Sequence, residues 1–84
     1  MEKLVEIAHK AIADYGFRQV VLWSPDDIIA QWDLSDREAR VLLDTIHGAL
    51  EALPVPVQPN DVLNELGRIK GLISTTLSSY GGLF

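Results

Sequence analysis

The stretch Trp23–Leu53, WSPDDIIAQWDLSDREARVLLDTIHGALEAL, decides the fold because it contains two helix starts in succession. At the first start, Ser24 precedes Pro25, a pattern typical of an N-cap serine with proline at the first helical position. At the second, Ser35 is followed three residues later by Glu38, which is the spacing of a capping box. Two helices separated by a short turn are therefore expected here.

The capping signals predict a short helix from Pro25 to about Trp32 and a long helix from Ser35 to Leu53. Trp23 is expected to close over Ile28 as a hydrophobic staple. Helical periodicity gives the long helix an inward face, and Val41 falls outside it as an exposed contact. The expected inward residues are Ala39, Leu42, Leu43, Ile46, Leu50 and Leu53.

The flanking segments predict two further main helices, Glu2–Tyr15 and Asp61–Tyr80, the second capped by Asn60. Gly16 is interpreted as a left-handed cap that ends the first helix. The β-branched and aromatic run FRQVVLW at 17–23 is interpreted as extended. The sequence thus predicts a small all-α domain, spanning 1–84, of three main helices and one short helix, with a brief extended segment near residues 17–23.

Composition narrows the class of protein. The chain has 84 residues, of which 48% are hydrophobic and none is cysteine, so we expect one globular domain without disulfides. No stretch reaches the roughly 18 apolar residues of a membrane span, and the first ten residues do not follow a signal-peptide pattern. We therefore expect no membrane partner and a cytoplasmic location, in a bacterial host cell if the resemblance described below holds.

The net charge of −5 is concentrated in the middle of the chain. Between residues 24 and 53, seven carboxylates are opposed by two arginines, whereas the charges of the flanks cancel. Two interpretations are open: an ordinary solvated surface whose acids favour helix N-termini, and an acidic surface that meets a protein with a basic surface. Nucleic acid is an unfavourable partner for such a surface. The predicted partner-binding residues are Asp26, Asp27, Trp32, Asp33, Asp36, Glu38 and Val41.

The last predicted helix has a stripe of small residues that includes Gly67 and Gly71. Glycine inside a helix costs up to about 1 kcal/mol relative to alanine, so we expect a close helix–helix approach to offset it. The approaching helix is either the long helix of the same chain or a second subunit, which makes a homodimer an open alternative. Leu83 and Phe84 are the other predicted self-association residues.

Motifs for catalysis or metal binding are not apparent. His9 and His47 stand in no metal-ligand spacing, and Ser24 and Ser35 have capping positions that explain them without a nucleophilic role. The G-R-I-K-G sequence at 67–71 lacks the context of a phosphate loop. We therefore predict a non-enzymatic protein with no catalytic residue, no metal and no cofactor.

Two resemblances bear on function. DDIIAQWDLSDREARVLL at 26–43 is similar to the helix-turn-helix of bacterial regulators, although its turn is one residue short and its recognition helix would open with two carboxylates. VVLWSPDDI at 20–28 followed by LSDREARVLLDTI at 34–46 resembles a pattern of small uncharacterised accessory proteins of bacterial plasmids and phages. That resemblance implies an inhibitor of host machinery of the anti-CRISPR type. The alternatives are a self-associating helical module and a DNA-binding regulator.

Overall fold

The computed structural model describes residues 2–54 and 57–81, the last three by their backbone alone, and within these ranges it is helical without a strand. This confirms the all-α prediction. A π-helical turn at Leu42–Ile46 joins α4 to α5 in one continuous helical rod, and a 3₁₀ turn at Pro59–Asp61 leads into α6. The α-helices are α1 (Glu2–Ala13), α2 (Tyr15–Trp23), α3 (Pro25–Gln31), α4 (Asp36–Val41), α5 (His47–Glu51) and α6 (Val62–Gly81).

Helix α1 lies at the centre of the fold and packs against α2, α5 and α6. Its apolar residues recur at spacings of three and four, so they form one stripe that faces the core. Every other helix contributes to the same core, which covers this stripe of α1. The core residues are Leu4, Ile7, Ala8, Ala11, Ile12, Val21, Ile28, Val41, Leu42, Ile46, Ala49, Leu50, Leu53, Ile69 and Ile73.

The prediction of an extended segment at 17–23 was wrong, because these residues belong to α2. Asp14 has an extended backbone, and its side chain accepts a hydrogen bond from the Phe17 N–H at 3.2 Å, which caps a new helix directly after α1. Gly16 lies in the first turn of α2 and has no positive φ, so it is not a left-handed cap. The first helix accordingly ends at Ala13 rather than Tyr15.

Arg18 on α2 is buried, with 2% of its surface exposed. Its guanidinium donates to three backbone carbonyls: Nε to Ala11 (3.0 Å), Nη2 to Ile12 (3.1 Å) and Nη1 to Pro54 (3.2 Å). The first two belong to the last turn of α1, where carbonyls lack partners within the helix and the helix dipole is negative. Arg18 therefore ties the end of α1 to α2 and to Pro54, three residues after the end of α5.

The capping box at the start of α4 is confirmed. Ser35 Oγ accepts from the Glu38 N–H at 3.1 Å, and Glu38 Oε1 accepts from the Ser35 N–H at 2.9 Å. At the start of α3, Pro25 holds the predicted position, but the Ser24 side chain forms no capping hydrogen bond. Its backbone joins two helices instead, since its N–H donates to Val20 at the end of α2 and its carbonyl accepts from Asp27.

The π-helical turn changes which side of the α4–α5 rod faces the core. A π turn places residues five apart above one another, so Val41 and Ile46 both point inward and are fully buried. Val41 is therefore not the exposed contact that regular helical periodicity predicts. Leu43, which that periodicity places inside, is 45% exposed. The inward positions predicted for Leu42, Ile46, Leu50 and Leu53 are confirmed.

Helix α6 packs on α1 and buries Ile69 and Ile73, and Thr76 Oγ1 lies 2.8 Å from Thr45 Oγ1 in the π turn. Asn60 lies within the 3₁₀ turn that precedes the helix and is not the residue at its N-cap. The two glycines of α6 face open space: apart from neighbouring residues and the α6 backbone itself, no atom lies within 4 Å of where a Cβ would be at Gly67 or Gly71. The long helix contacts α6 at Thr45 and Thr76, but the prediction that it approaches α6 closely at these glycines was wrong.

Candidate functional site

The junction between α2 and α3 presents the most exposed large apolar side chain among the described residues. Trp23 is the last residue of α2 and is 79% exposed, so it does not form the predicted staple over Ile28, which is fully buried. Its indole Nε1 donates to Gln19 Oε1 at 2.7 Å, one helical turn earlier. This hydrogen bond holds the ring along α2 while most of its surface remains open to solvent.

A small crevice lies beside Trp23, between the end of α2 and α5. It has a volume of about 90 Å³ and is lined by Leu22, Trp23, His47 and Glu51. His47 lies at its inner edge, with Nε2 3.0 Å from the Leu22 carbonyl oxygen and Nδ1 2.9 Å from Glu51 Oε1. The contact with Leu22 joins α5 to the end of α2, whereas the contact with Glu51 lies within α5 between residues four apart. We call it the Trp23 crevice.

Carboxylates begin three residues after Trp23. Asp26 and Asp27 are exposed in the first turn of α3, and Asp33 and Asp36 are exposed on either side of the start of α4. A helix of seven residues is about 10 Å long, so both ends of α3 present acids within a short distance. We use the name acidic corner for the predicted set Asp26, Asp27, Asp33, Asp36 and Glu38.

Asp33 closes the end of α3 in a left-handed conformation, with φ of 50°. Its N–H donates to Ala30 and the Leu34 N–H donates to Ile29, which together make a Schellman motif with aspartate at the position that usually holds glycine. Lys3 Nζ donates to the Asp33 carbonyl oxygen at 3.0 Å, linking the start of α1 to this turn. The backbone here is therefore fixed, and the Asp33 side chain projects from a defined position.

Glu38 differs from the other members of the acidic corner because it is committed to the capping box. Its carboxylate accepts from the Ser35 backbone N–H, which is the main reason that its pKa is lowered; the nearby charge of Lys3 acts in the same direction. Partial burial opposes this shift. Glu38 is therefore held ionised, and its carboxylate is already used in capping α4.

The two predicted apolar anchors do not lie open on this surface. Val41 is fully buried in the core. Trp32 is half-buried and packs against the core at the end of α3. Trp23, and not Val41, is therefore the exposed apolar side chain close in sequence to the first carboxylates of the acidic corner.

The predicted self-association surface is in part outside the described residues, since Leu83 and Phe84 lie beyond them. Gly67 and Gly71 are exposed on α6. One helical turn before Gly67, Leu63 is 72% exposed. The outer face of α6 thus combines open glycines with an exposed leucine.

Carboxylates and one exposed indole determine the chemistry that these surfaces can support. Within residues 2–54 and 57–81, no group of three or more histidines, aspartates or glutamates is placed to hold a metal ion. In the same ranges, no helix is both long enough and apolar enough to cross a membrane. Exposed carboxylates, an indole and a small crevice can bind cations by charge, hydrogen bonds and cation–π contact.

Sequence reasoning missed Trp23 and His47 as parts of the site. Trp23 was assigned to the staple because it precedes a proline-started helix, yet α2 continues through residue 23 and turns the indole outward. A signal was present in the spacing Gln19–Trp23, since residues four apart on a helix are neighbours. For His47, the contact with Leu22 joins segments 25 residues apart, and spacing along the chain does not reveal it.

Comparison with known proteins gives no family: no family model, no curated protein and no solved structure matches this chain.

Proposed function

We propose that this chain is a non-enzymatic protein-binding domain that engages a basic surface of a partner through Trp23 and the acidic corner. The observation that carries the proposal is the 79% exposure of Trp23 directly before the turn that presents Asp26 and Asp27. Tryptophan is the residue most enriched among the energetic centres of protein interfaces. Surrounding carboxylates would add speed of association and selectivity for a basic partner.

The charge favours a protein over a nucleic acid as partner. The chain has a net charge of −5, and the first turn of α4 presents Asp36 and Glu38 where a recognition helix would meet phosphates. Lysine and arginine contacts to phosphates supply much of the affinity for DNA. The helix-turn-helix resemblance therefore remains the weaker alternative.

A finer proposal follows from the resemblance of residues 20–46 to phage and plasmid accessory proteins. A small acidic domain from such a source would act in the cytoplasm of a bacterial host, by covering the basic surface with which a nucleic-acid-handling complex holds its substrate. This makes the chain an inhibitor of the anti-CRISPR type that works by occupying a surface, with no cofactor. The acidic character and the lack of catalytic motifs support it.

The test is affinity capture from a bacterial host lysate, with quantitative mass spectrometry of what each variant retains. One variant carries Trp23→Ala, and another removes four charges from the acidic corner as Asp→Asn at positions 26, 27, 33 and 36. Asparagine is chosen because it tolerates the left-handed backbone of Asp33, and Glu38 is left intact because it caps α4. Wild type should retain a stoichiometric basic protein or complex that both variants lose.

The matched control removes four charges elsewhere, as Glu2→Gln, Glu6→Gln, Asp44→Asn and Asp61→Asn. It keeps the same net charge as the corner variant, so retention by the control and loss by the corner variant separates a site from a general charge effect. Equal retention by all variants contradicts the proposal. Capture of nuclease-sensitive DNA instead of a protein would favour the helix-turn-helix alternative.

Self-association is a second candidate function, favoured by the exposed Leu63 and the open positions at Gly67 and Gly71. Two copies of α6 that cross at these glycines would let each leucine pack on the other helix. Sedimentation velocity over a hundredfold range of concentration tests this. A dimer that Gly71→Leu abolishes supports the candidate, and a monomer at all concentrations contradicts it.

A further inference from the structure

We infer that the Trp23 crevice is a binding pocket for one arginine side chain of the partner protein. The inference rests on the proposed function and deepens it, since it names the group that the surface would recognise. Its four walls differ in chemistry: the Trp23 indole, the apolar side of Leu22, the His47 ring and the Glu51 carboxylate. Leu22 suits the aliphatic stem of a long cationic side chain, and the indole and the Glu51 carboxylate suit its charged end.

The size of the crevice limits the occupant. A volume of about 90 Å³ accommodates the end of one side chain and is too small for a typical small-molecule ligand, whose sites measure roughly 300–1,000 Å³. It is also more enclosed than the open surface grooves beside α1 and α4. We therefore assign it to a side chain that projects from a macromolecular partner.

The indole of Trp23 provides the first attraction for a cation. Its Nε1 is occupied by Gln19, which holds the ring in place, while 79% of the residue remains exposed. Tryptophan is the best aromatic partner for a cation over its face. Because the ring is already held, little conformational freedom is lost when a cation stacks on it.

Glu51 provides the negative charge. Its side chain is largely exposed, and Oε1 faces His47 Nδ1 at 2.9 Å. A carboxylate has two oxygens with about four lone-pair sites, so Glu51 can accept from an incoming cation while it still faces His47. Asp26 and Asp27, which follow Trp23 in the chain, make the approach to the crevice favourable for positive charge.

Arginine fits these walls better than lysine. Its planar guanidinium stacks on an aromatic face and donates two parallel hydrogen bonds to a carboxylate, and its weaker hydration lowers the cost of entry. Its aliphatic stem can lie against Leu22. Lysine presents a compact, strongly hydrated charge that would use Glu51 but gain less from the indole.

The test is a titration of the whole chain with N-acetyl-argininamide, followed by ¹H–¹⁵N NMR. The matched ligand is N-acetyl-citrullinamide, which has the same shape without the charge. The indole N–H signals of Trp23 and Trp32 serve as reporter and internal reference, since Trp32 packs against the core. We expect a saturable shift of the Trp23 signal with the arginine ligand, little change at Trp32, and binding of citrulline at least about fivefold weaker.

Two variants of the crevice and one control variant on α6 test whether the arginine ligand binds in the crevice. Glu51→Gln should weaken binding of the arginine ligand by about 2–5-fold, the range expected for loss of an exposed ion pair, and Glu65→Gln on α6 should leave it unchanged. Trp23→Leu should abolish the saturable shifts of the Leu22 and Gly48 amides. Equal binding of arginine and citrulline ligands, or no saturable shift at Trp23, overturns the pocket.

A failure of the arginine pocket can be distinguished from a failure of the proposed function. If Trp23→Ala loses the captured partner but the arginine ligand does not bind, the arginine pocket is wrong and the protein-binding surface stands. If the arginine ligand saturates the crevice but capture does not depend on Trp23, the pocket stands and the proposed function is wrong.

Discussion

Replacement of the buried Arg18 by methionine should destabilise the fold by about 3 kcal/mol. The change keeps an unbranched chain of similar length, so little packing is lost, but it removes all three hydrogen bonds. The carbonyls of Ala11 and Ile12 then lie without a donor at the end of α1. Each buried carbonyl left without a donor costs about 1–3 kcal/mol. Methionine has no charge, so the cost of burying the guanidinium charge is removed, and this gain offsets part of the loss.

This loss is large for a chain of this size. A domain of 84 residues is stable by about 4–13 kcal/mol, and each kcal/mol shifts the melting temperature by about 4–8 °C. Arg18→Met should therefore lower the melting temperature by about 12–24 °C. Arg18→Lys keeps the charge but loses the planar fork, so its loss should be intermediate.

The assay is urea and thermal unfolding followed by circular dichroism. The control is Arg68→Met, because Arg68 is half-exposed and donates to Glu65 three residues away on α6; its loss should be under about 0.5 kcal/mol. If Arg18→Met and Arg68→Met change the free energy of unfolding by equally small amounts, the carbonyls that Arg18 binds do not stabilise the fold through these hydrogen bonds.

Three further outcomes are expected from unfolding measurements. Val41→Asp should unfold the domain, because it buries an unpaired carboxylate, whereas Leu43→Asp at the exposed neighbour should change stability by under about 0.5 kcal/mol. Gly71→Ala should stabilise by about 0.5–1 kcal/mol, because its Cβ enters open space on a helix; destabilisation would indicate a contact there. Glu38 has a lowered pKa in the folded state, so the stability that it contributes is present at neutral pH and is lost as the pH falls below about 5. Glu38→Gln should therefore reduce the decrease in the free energy of unfolding at acid pH. An unchanged dependence of that free energy on pH would contradict this role.

Local signals predicted the fold well where a few neighbouring residues determine the structure. The Ser35–Glu38 capping box and the proline at the start of α3 depend on contacts within one turn, and both were found as predicted apart from the Ser24 side chain. The helical stripe of α1 depends only on periodicity. These features made the all-α class predictable from the sequence.

The errors came from features that depend on the rest of the molecule. Residues 17–23 have strand-like side chains, but the Asp14 cap and the burial of Arg18 and Val21 place them in a helix, because tertiary packing overrides propensity. The π turn at Leu42–Ile46 inserts a residue into the helical phase, which moved Val41 inward and Leu43 outward. No local sequence pattern predicts that insertion.

The candidate site was predictable in part. Asp26, Asp27 and Asp36 lie in the first turns of helices, which favour carboxylates, and all three are exposed. The apolar contact was misassigned, since Trp23 was expected to be covered and Val41 to be open. Recognition of the crevice required the contact between His47 and Leu22, which joins α5 to α2.

Site-specific photo-crosslinking tests whether the junction of α2 and α3 binds a partner. A photoreactive phenylalanine analogue replaces Trp23 in one variant and Leu63 in a second, and each is expressed in bacterial cells before irradiation. We predict a crosslink from position 23 to one basic partner protein, and none to that protein from position 63. Crosslinks to that protein from position 63 alone, or only to a second copy of this chain, would contradict a partner-binding surface at the junction of α2 and α3.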